Sequence, residues 1–102
     1  MNIIVIGDPQ RMVAFVEELA QDHGGVKEMR GSYLEFRTEC EDGSVISVRK
    51  ENLLRGYRCD EVWLSSEPDP GTLKDYILPM VRGDFTHIRR CAEKGYYNGR
   101  KA

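Results

Sequence analysis

The sequence predicts a small α/β domain of two or three layers, with a partly parallel, Rossmann-like sheet, one β-hairpin and two to three helices. Residues 2–7, NIIVIG, are an uninterrupted β-branched run, which is typical of a central strand covered on both faces. Residues 12–20 then place apolar side chains at helical spacing. Further along, two alternating segments flank an Asp-Gly pair at residues 42–43, which favours a hairpin.

The composition fits one globular domain. The chain has 102 residues, of which 40% are hydrophobic and 31% are charged. Its net charge of −2 gives no overall attraction to nucleic acid or to a membrane, so binding to either would need a local patch. No apolar run reaches the roughly 20 residues that span a bilayer, and the apolar start lacks the basic lead-in of a signal peptide. We therefore expect a cytoplasmic protein without membrane contacts.

The three cysteines, Cys40, Cys59 and Cys91, are widely spaced and form no CxxC pair. An odd number at this spacing argues against a disulfide framework and against a zinc site. We expect them to be reduced and to pack as small apolar side chains. The sequence predicts no metal and no cofactor.

The first half of the chain reads as strand, helix and hairpin. Asp8 and Pro9 suit the start of a helix as N-cap and first-turn residue, and Gly24-Gly25 suits its left-handed end. Residues 31–38 and 45–49 alternate in polarity and form the predicted hairpin. Leu34 and Phe36 lie on the packed face of its first strand.

The second half predicts a short strand at residues 61–65, followed by a helix. A capping box at residues 72–75 begins this helix, Pro79 kinks it, and Gly83 ends it. Residues 84–94 fit either a helix or a strand, and both remain open. We expect the end of the tail to be mobile.

The end of the 61–65 strand is the candidate ligand site. Small polar residues follow the apolar run there, and ligands in α/β proteins bind outside the carboxyl ends of strands. The site residues are Ser65, Ser66 and Glu67. The sequence offers no neighbouring histidine and no GxSxG motif to activate a serine, so we predict no catalytic residue.

The C-terminal segment 83–102 is basic, as is Arg82 immediately before it. Cations interleaved with aromatic residues suit single-stranded nucleic acid or an acidic protein partner, and a solvated basic face is the alternative. The candidate binding residues are Arg82, Arg89, Arg90, Lys94, Tyr96, Tyr97, Arg100 and Lys101.

His23 and His87 lack partners at ligand spacing, so we read them as structural.

Four segments occur in a recognisable order: IIVIGDPQRMVAFVEEL, YLEFRTECEDGSVISV, LLRGYRCDEVWLSSE and ILPMVR. Together, residues 2–82 resemble the ATPase core of phage large terminases and related helicase-like motors. The resemblance implies that residues 1–102 form a single truncated P-loop-NTPase-like α/β domain. It also implies a phage-encoded protein that works in the host cytoplasm.

Two departures from that family change what the resemblance implies. The chain has no GxxxxGK[ST] phosphate loop, and the family's closing Asp-Glu falls at Ser65-Ser66. Glu67 comes one residue late, and a shift of one residue reverses where a strand side chain points. We therefore expect a non-catalytic accessory protein that binds a protein or nucleic-acid partner and modulates a DNA-processing machine. The alternatives are a small nuclease or nucleotide hydrolase at the strand end, and a structural or assembly component.

The missing phosphate-loop unit also implies an unpaired strand. In the motor family, the strand equivalent to residues 62–64 pairs with a phosphate-loop strand that this chain lacks. The edge from Val62 to Leu64 would then be open. We expect the C-terminal segment to cover it, or a second subunit or protein partner to pair with it by strand addition.

Overall fold

The computed structural model describes residues 1–31, 35–51 and 57–102, and it confirms the predicted α/β class. Across these residues the main sheet has six strands in the order β2-β3-β4-β1-β5-β6. The strands are β1 (Asn2–Ile6), β2 (Val26–Gly31), β3 (Glu35–Cys40), β4 (Val45–Arg49), β5 (Glu61–Leu64) and β6 (Ile88–Arg90). β4, β1, β5 and β6 run parallel, whereas β2 and β3 form an antiparallel extension of β4.

Helical elements lie on both faces of this sheet. Helix α1 (Val13–Gln21) follows a short 3-10 turn, Pro9–Arg11. Helical segment 70–81 passes from an α-turn through a π-helical stretch to a 3-10 turn. Two further 3-10 turns, Phe85–His87 and Cys91–Lys94, flank β6, and a small hairpin of β7 (Tyr96–Tyr97) and β8 (Arg100–Lys101) ends the chain. None of the described helices is long and apolar enough to cross a membrane.

Strand β1 separates two apolar cores, as its uninterrupted β-branched sequence predicts. Ile3 and Val5 point toward α1, into a core that includes Phe15, Trp63 and Tyr96. Ile4 and Ile6 point the other way, into a second core with helical segment 70–81. Because successive side chains of a strand alternate between faces, one strand supplies both cores.

The predicted Asp8 cap is present, but it caps the 3-10 turn before α1, whereas Met12 at the N-cap of α1 itself makes no side-chain hydrogen bond. The Asp8 carboxylate accepts a hydrogen bond from the backbone N–H of Gln10 at 3.1 Å, with Pro9 at the first turn. Gly24 and Gly25 have φ angles of 89° and 98° after the helix, a conformation that glycine adopts without strain. Only Val13 departs from the predicted inner face, because it remains 36% exposed.

The predicted hairpin is present as β3 and β4, joined through residues 41–44. Phe36, Ile46 and Val48 are buried on the face that α1 covers. Leu34, predicted on the same face, and the Leu-Arg-Gly of residues 54–56 lie outside the described residues. Strand β2, however, was not predicted. Its residues are exposed except for Met29, which packs against the α1 core, so it carries no clear apolar alternation.

The second helical segment begins earlier than the predicted capping box. Asp69, not Thr72, is the N-cap, and its carboxylate accepts hydrogen bonds from the Thr72 N–H at 3.0 Å and hydroxyl at 2.7 Å. Pro70 occupies the first turn, where its missing N–H is not needed. The segment narrows to a 3-10 turn around Pro79. Arg82 then ends it in the left-handed region, with a φ of 57°.

The segment at residues 84–94 contains a strand, which corrects the predicted open edge. β6 pairs in parallel with β5, and Val62, Trp63 and Leu64 lie opposite Ile88, Arg89 and Arg90. The backbone groups of β5 are therefore used on both sides. The expectation that the C-terminal segment covers this edge is confirmed, and self-association through an open edge from Val62 to Leu64 is wrong.

The C-terminal hairpin packs onto α1, and the tail thus has a fixed place that the sequence did not predict. The Tyr96 ring is buried and meets Phe15 edge-on, with 5.3 Å between ring centroids. The Lys101 ammonium lies 2.8 Å from a Glu18 carboxylate oxygen. A side chain at Gly99 would collide with the carbonyl oxygen of Arg11. The last residues thus complete the core on this face.

We predict that Tyr96→Ala lowers the free energy of unfolding by about 3 kcal/mol, because it removes a buried aromatic ring from the core. Tyr97→Ala is the matched control. Its ring is 58% exposed, so its effect should stay within about 0.5 kcal/mol. Urea denaturation measures both values, and equal effects of the two substitutions would contradict the packing of the hairpin onto α1.

Candidate functional site

The topology places a crevice between β1 and β5. After β1 the chain continues to the strands on the β4 side of β1. After β5 it continues to β6, on the opposite side. Ligands of open α/β sheets bind where such connections diverge, outside the carboxyl ends of the strands. Gly7 and Asp8 follow β1 at this point, and Ser65 and Ser66 follow β5. The predicted strand-end residues therefore lie at the position that topology favours.

Local contacts fill much of this crevice. A Cβ at Gly7 would lie 2.8 Å from Ser65 Oγ and 3.2 Å from Met12 Cγ. The Ser65 N–H donates to the Ile6 carbonyl at 3.1 Å, and the Asp8 carboxylate is occupied as a helix cap. Ser65 is only partly buried, whereas Ser66 is exposed. A side chain at position 7 would therefore require the Ser65 and Met12 side chains to shift.

Glu67 and Arg90 come together at the same edge, although the sequence assigned them to two different sites. The guanidinium of Arg90 bonds Glu67 through Nε and through Nη2, the latter at 3.2 Å. This hydrogen bonding lowers the pKa of Glu67 and raises the pKa of Arg90. The carboxylate that the sequence offered as a ligand group is therefore already paired with a cation.

Most of the other C-terminal cations are also paired within the chain. Arg89 lies over the Trp63 ring, 4.5 Å from its centroid, and contacts Glu93 at 3.0 Å. Lys94 contacts Asp22 at 2.8 Å, and Lys101 contacts Glu18. Tyr96 is in the core. Of the predicted binding residues, Arg82, Tyr97 and Arg100 remain outside any ion pair or ring contact within the described part of the chain.

His23 makes contacts that hold two elements of the fold together. His23 Nδ1 lies 3.1 Å from Asp42 Oδ2 and 3.3 Å from Ser44 Oγ. A catalytic triad needs the acid and the serine on different ring nitrogens, so this cluster ties the end of α1 to the β3–β4 turn. Hydrogen bonds from Ser44 lower the pKa of Asp42.

The three cysteines are unpaired, and burial raises the pKa of Cys59 to about 11 and that of Cys91 to about 12. These thiols are therefore poor nucleophiles near neutral pH. Cys40 and Cys91 are buried, as the predicted packing requires, and Cys59 is partly exposed. Within the described residues, no three His, Cys, Asp or Glu side chains are grouped to hold a metal ion.

A cleft of about 520 Å³ lies at the opposite, amino end of the sheet. Arg58, Cys59, Arg82 and His87 line it together with two acidic residues. Asp60 accepts a hydrogen bond from the Asn2 N–H at 2.6 Å, and Asp84 caps the Phe85–His87 turn. His87 lies 3.6 Å from Asp84, so its setting is a helix cap, consistent with a structural role.

The sequence reading missed a charged surface on β2 and β3. Register places Glu28 opposite Glu39 and Arg30 opposite Arg37, on the face away from α1. These four side chains line a shallow cleft of about 400 Å³. Directly opposed like charges destabilise a strand pair, so this register does not itself stabilise the pairing of β2 with β3. We call these four residues the charged face. In the sequence, Lys27, Glu28 and Arg30 form an ordinary charged run. They indicate opposed charges only once β2 is known to pair with β3.

Comparison of the chain with protein-family models, with curated proteins and with solved structures gave no match. The resemblance to the terminase and helicase-like motor core therefore stays a prediction based on the four sequence segments.

We predict that Arg90→Gln lowers stability by up to about 1 kcal/mol near neutral pH, since the Arg90 and Glu67 side chains are 46% and 64% exposed. The folded-state pKa of Glu67 lies below its ordinary value of 4.5. The pair's contribution is thus present above that pH and is lost as pH falls through the folded-state value. Urea denaturation at pH 6 and at about pH 3 should show the difference between wild type and variant shrink.

Arg82→Gln is the control, because Arg82 has no ion pair among the described residues. Its small effect on stability should not change with pH over the same range. A difference for Arg90→Gln that persists at low pH would show that packing of the side chain, not its charge, carries the effect.

Proposed function

We propose that this chain is a non-catalytic, phage-type accessory protein that binds a protein partner through the charged face and so modulates a DNA-processing machine. The single observation that supports a binding role is the register that sets Glu28 opposite Glu39 and Arg30 opposite Arg37. The Arg30–Glu28 ion pair offsets part of this like-charge repulsion, and a partner with complementary charges would offset the rest. Arg37 has no ion pair among the described residues, which leaves its guanidinium for such a partner.

The mixed charge of this face favours a protein over a nucleic acid. Glu28 and Glu39 stand beside Arg30 and Arg37, and a phosphate backbone would be repelled by the two carboxylates. In the C-terminal segment, Arg89, Arg90, Lys94 and Lys101 already pair with acidic side chains. Nucleic-acid binding there would have to break these pairs. A protein surface can instead match both signs at once.

The strand-end geometry supports a role without catalysis. Asp8 is engaged as a cap and Glu67 as the partner of Arg90. Both Glu67 oxygens bond the Arg90 guanidinium, so a metal ion or a water molecule would compete with that cation for the carboxylate. The crevice between Gly7 and Ser65 is also narrow. The proposal therefore assigns binding to the sheet face and no reaction to the strand end.

The double variant Arg37→Glu with Glu39→Arg tests the charged face. It should raise the free energy of unfolding by up to about 1 kcal/mol for each of the two opposed residue pairs, because like charges become opposite charges. It should also abolish capture of the partner. The measurements are urea denaturation and affinity capture from source cells with identification by mass spectrometry. Arg100→Gln with Tyr97→Ala, on the C-terminal surface, is the matched control and should retain the partner.

A captured component of a DNA-processing machine that is lost with the swap and kept with the control supports the proposal. Capture that is unaffected by the swap would contradict the assigned face. Recovery of DNA alone, with no protein that depends on residues 37 and 39, would contradict the protein-binding function itself.

We expect only weak, sequence-independent binding to single-stranded DNA. Each phosphate contact contributes about −0.7 to the slope of log affinity against log salt. Of the candidate cations only Arg82 and Arg100 lack an ion pair among the described residues, so two contacts set a slope of about 1.4 at most in magnitude. Fluorescence anisotropy with a labelled oligonucleotide over a salt series measures it. A steeper slope that Arg89→Ala with Arg90→Ala abolishes would favour the nucleic-acid alternative.

A further inference from the structure

Strand β2 is an exposed edge of the main sheet. It pairs with β3 on one side, and within the described residues no strand pairs with its other side. At six residues it is twice the length of β6, the other edge strand. A bulge interrupts its pairing between Val26 and Glu28, and residues 28–31 are regular. Backbone N–H and C=O groups along such an edge are a template for another strand.

The charge order along β2 specifies which strand would fit. Glu28 and Arg30 are two residues apart, so they lie on the same face of the sheet. They currently pair with each other, with Arg30 Nε donating to Glu28 Oε1 at 2.7 Å. In an antiparallel pair that sets Met29 opposite Met29, each Glu28 would stand opposite Arg30 of the other strand.

We propose that two copies of the chain pair their β2 strands in this antiparallel register, with a two-fold axis at Met29. The two sheets then form one continuous sheet. Such an interface is isologous, because the same strand contributes both halves. This inference goes beyond the partner protein proposed above and does not depend on it.

The charged face favours this register. In one copy, Glu39 and Glu28 form a negative row, and Arg37 and Arg30 form a positive row. The two-fold axis joins the negative row of each copy to the positive row of the other. Every like-charge pair thereby gains an opposite neighbour across the interface. Directly opposed opposite charges stabilise a strand pair.

Other registers lose this match. A shift by one residue moves every side chain to the other face of the sheet. A shift by two sets Arg30 opposite Arg30, or Glu28 opposite Glu28. Parallel pairing in register also sets like charges together, so the charge order selects the register centred on Met29.

The opposite face adds an apolar contact. Met29 points toward the α1 core, and Met29 of the second copy would lie directly beside it. A shallow cleft of about 290 Å³ adjoins this point, lined in part by Val13, Met29 and Phe36. Val13, on the outer part of α1, is 36% exposed in the single chain. Burial of these side chains favours the paired state.

Sedimentation over a wide concentration range tests the proposal through charge reversal. Wild type should be a dimer. Glu28→Arg alone and Arg30→Glu alone should each weaken dimerisation at least about tenfold, because each sets like charges opposite one another in both halves of the interface. The double variant, Glu28→Arg with Arg30→Glu, should restore the dimer, since it exchanges the two charges and recreates the match.

A cysteine pair reads the register directly. Met29→Cys should crosslink to itself under mild oxidation, because opposed residues of an antiparallel pair have Cα atoms about 4.5–5.5 Å apart, within disulfide reach. Lys27→Cys would lie opposite Gly31 and should not crosslink to itself. A monomeric wild type at all concentrations, a double variant that stays monomeric, or equal crosslinking of the two cysteines would overturn the proposal.

The β3 variant Arg37→Glu with Glu39→Arg separates this inference from the proposed function. It changes the charged face one strand away from the edge, so it should remain a dimer while it loses the captured partner. A monomeric wild type that still captures the partner would reject only the dimer. A dimer that captures no partner would reject only the proposed function.

Discussion

The burial of β1 on both faces dictates the layered arrangement of this fold. Ile3 and Val5 enter one core and Ile4 and Ile6 the other, and each such side chain stabilises the fold by about 1.5–3 kcal/mol. A strand buried in this way needs parallel partners on both sides and a layer on each face. β4 and β5 supply the partners. α1 and helical segment 70–81 supply the layers.

That arrangement is asymmetric, and its asymmetry creates the surfaces with functional interest. Helical segment 70–81 packs on the half of the sheet that contains β1 and β5. On the other half, β2 and β3 turn charged side chains outward, and α1 packs behind them. The C-terminal segment meanwhile closes the opposite edge through β6. The open edge and the charged face thus lie together on the β2–β3 half of the sheet.

The fate of the candidate residues shows why charge in a sequence is a weak guide to binding. The C-terminal cations read as a basic patch because their partners, Asp22, Glu18 and Glu67, are distant in the chain. Folding brings them together and neutralises most of the patch. The reverse holds for Glu28 and Arg30, which read as an ordinary solvated run. Pairing with β3 makes them a surface of opposed like charges.

Local sequence patterns were enough to predict the elements whose signals are short in range. The β-branched run of β1, the capping role of Asp8 and the Asp-Gly turn each depend on neighbouring residues, and the structure contains all three. Three features instead required the folded chain: β2 as a strand, the pairing of residues 88–90 with the edge of β5, and the contact between Glu67 and Arg90. These features depend on contacts between distant segments, and such contacts have no local periodicity to announce them.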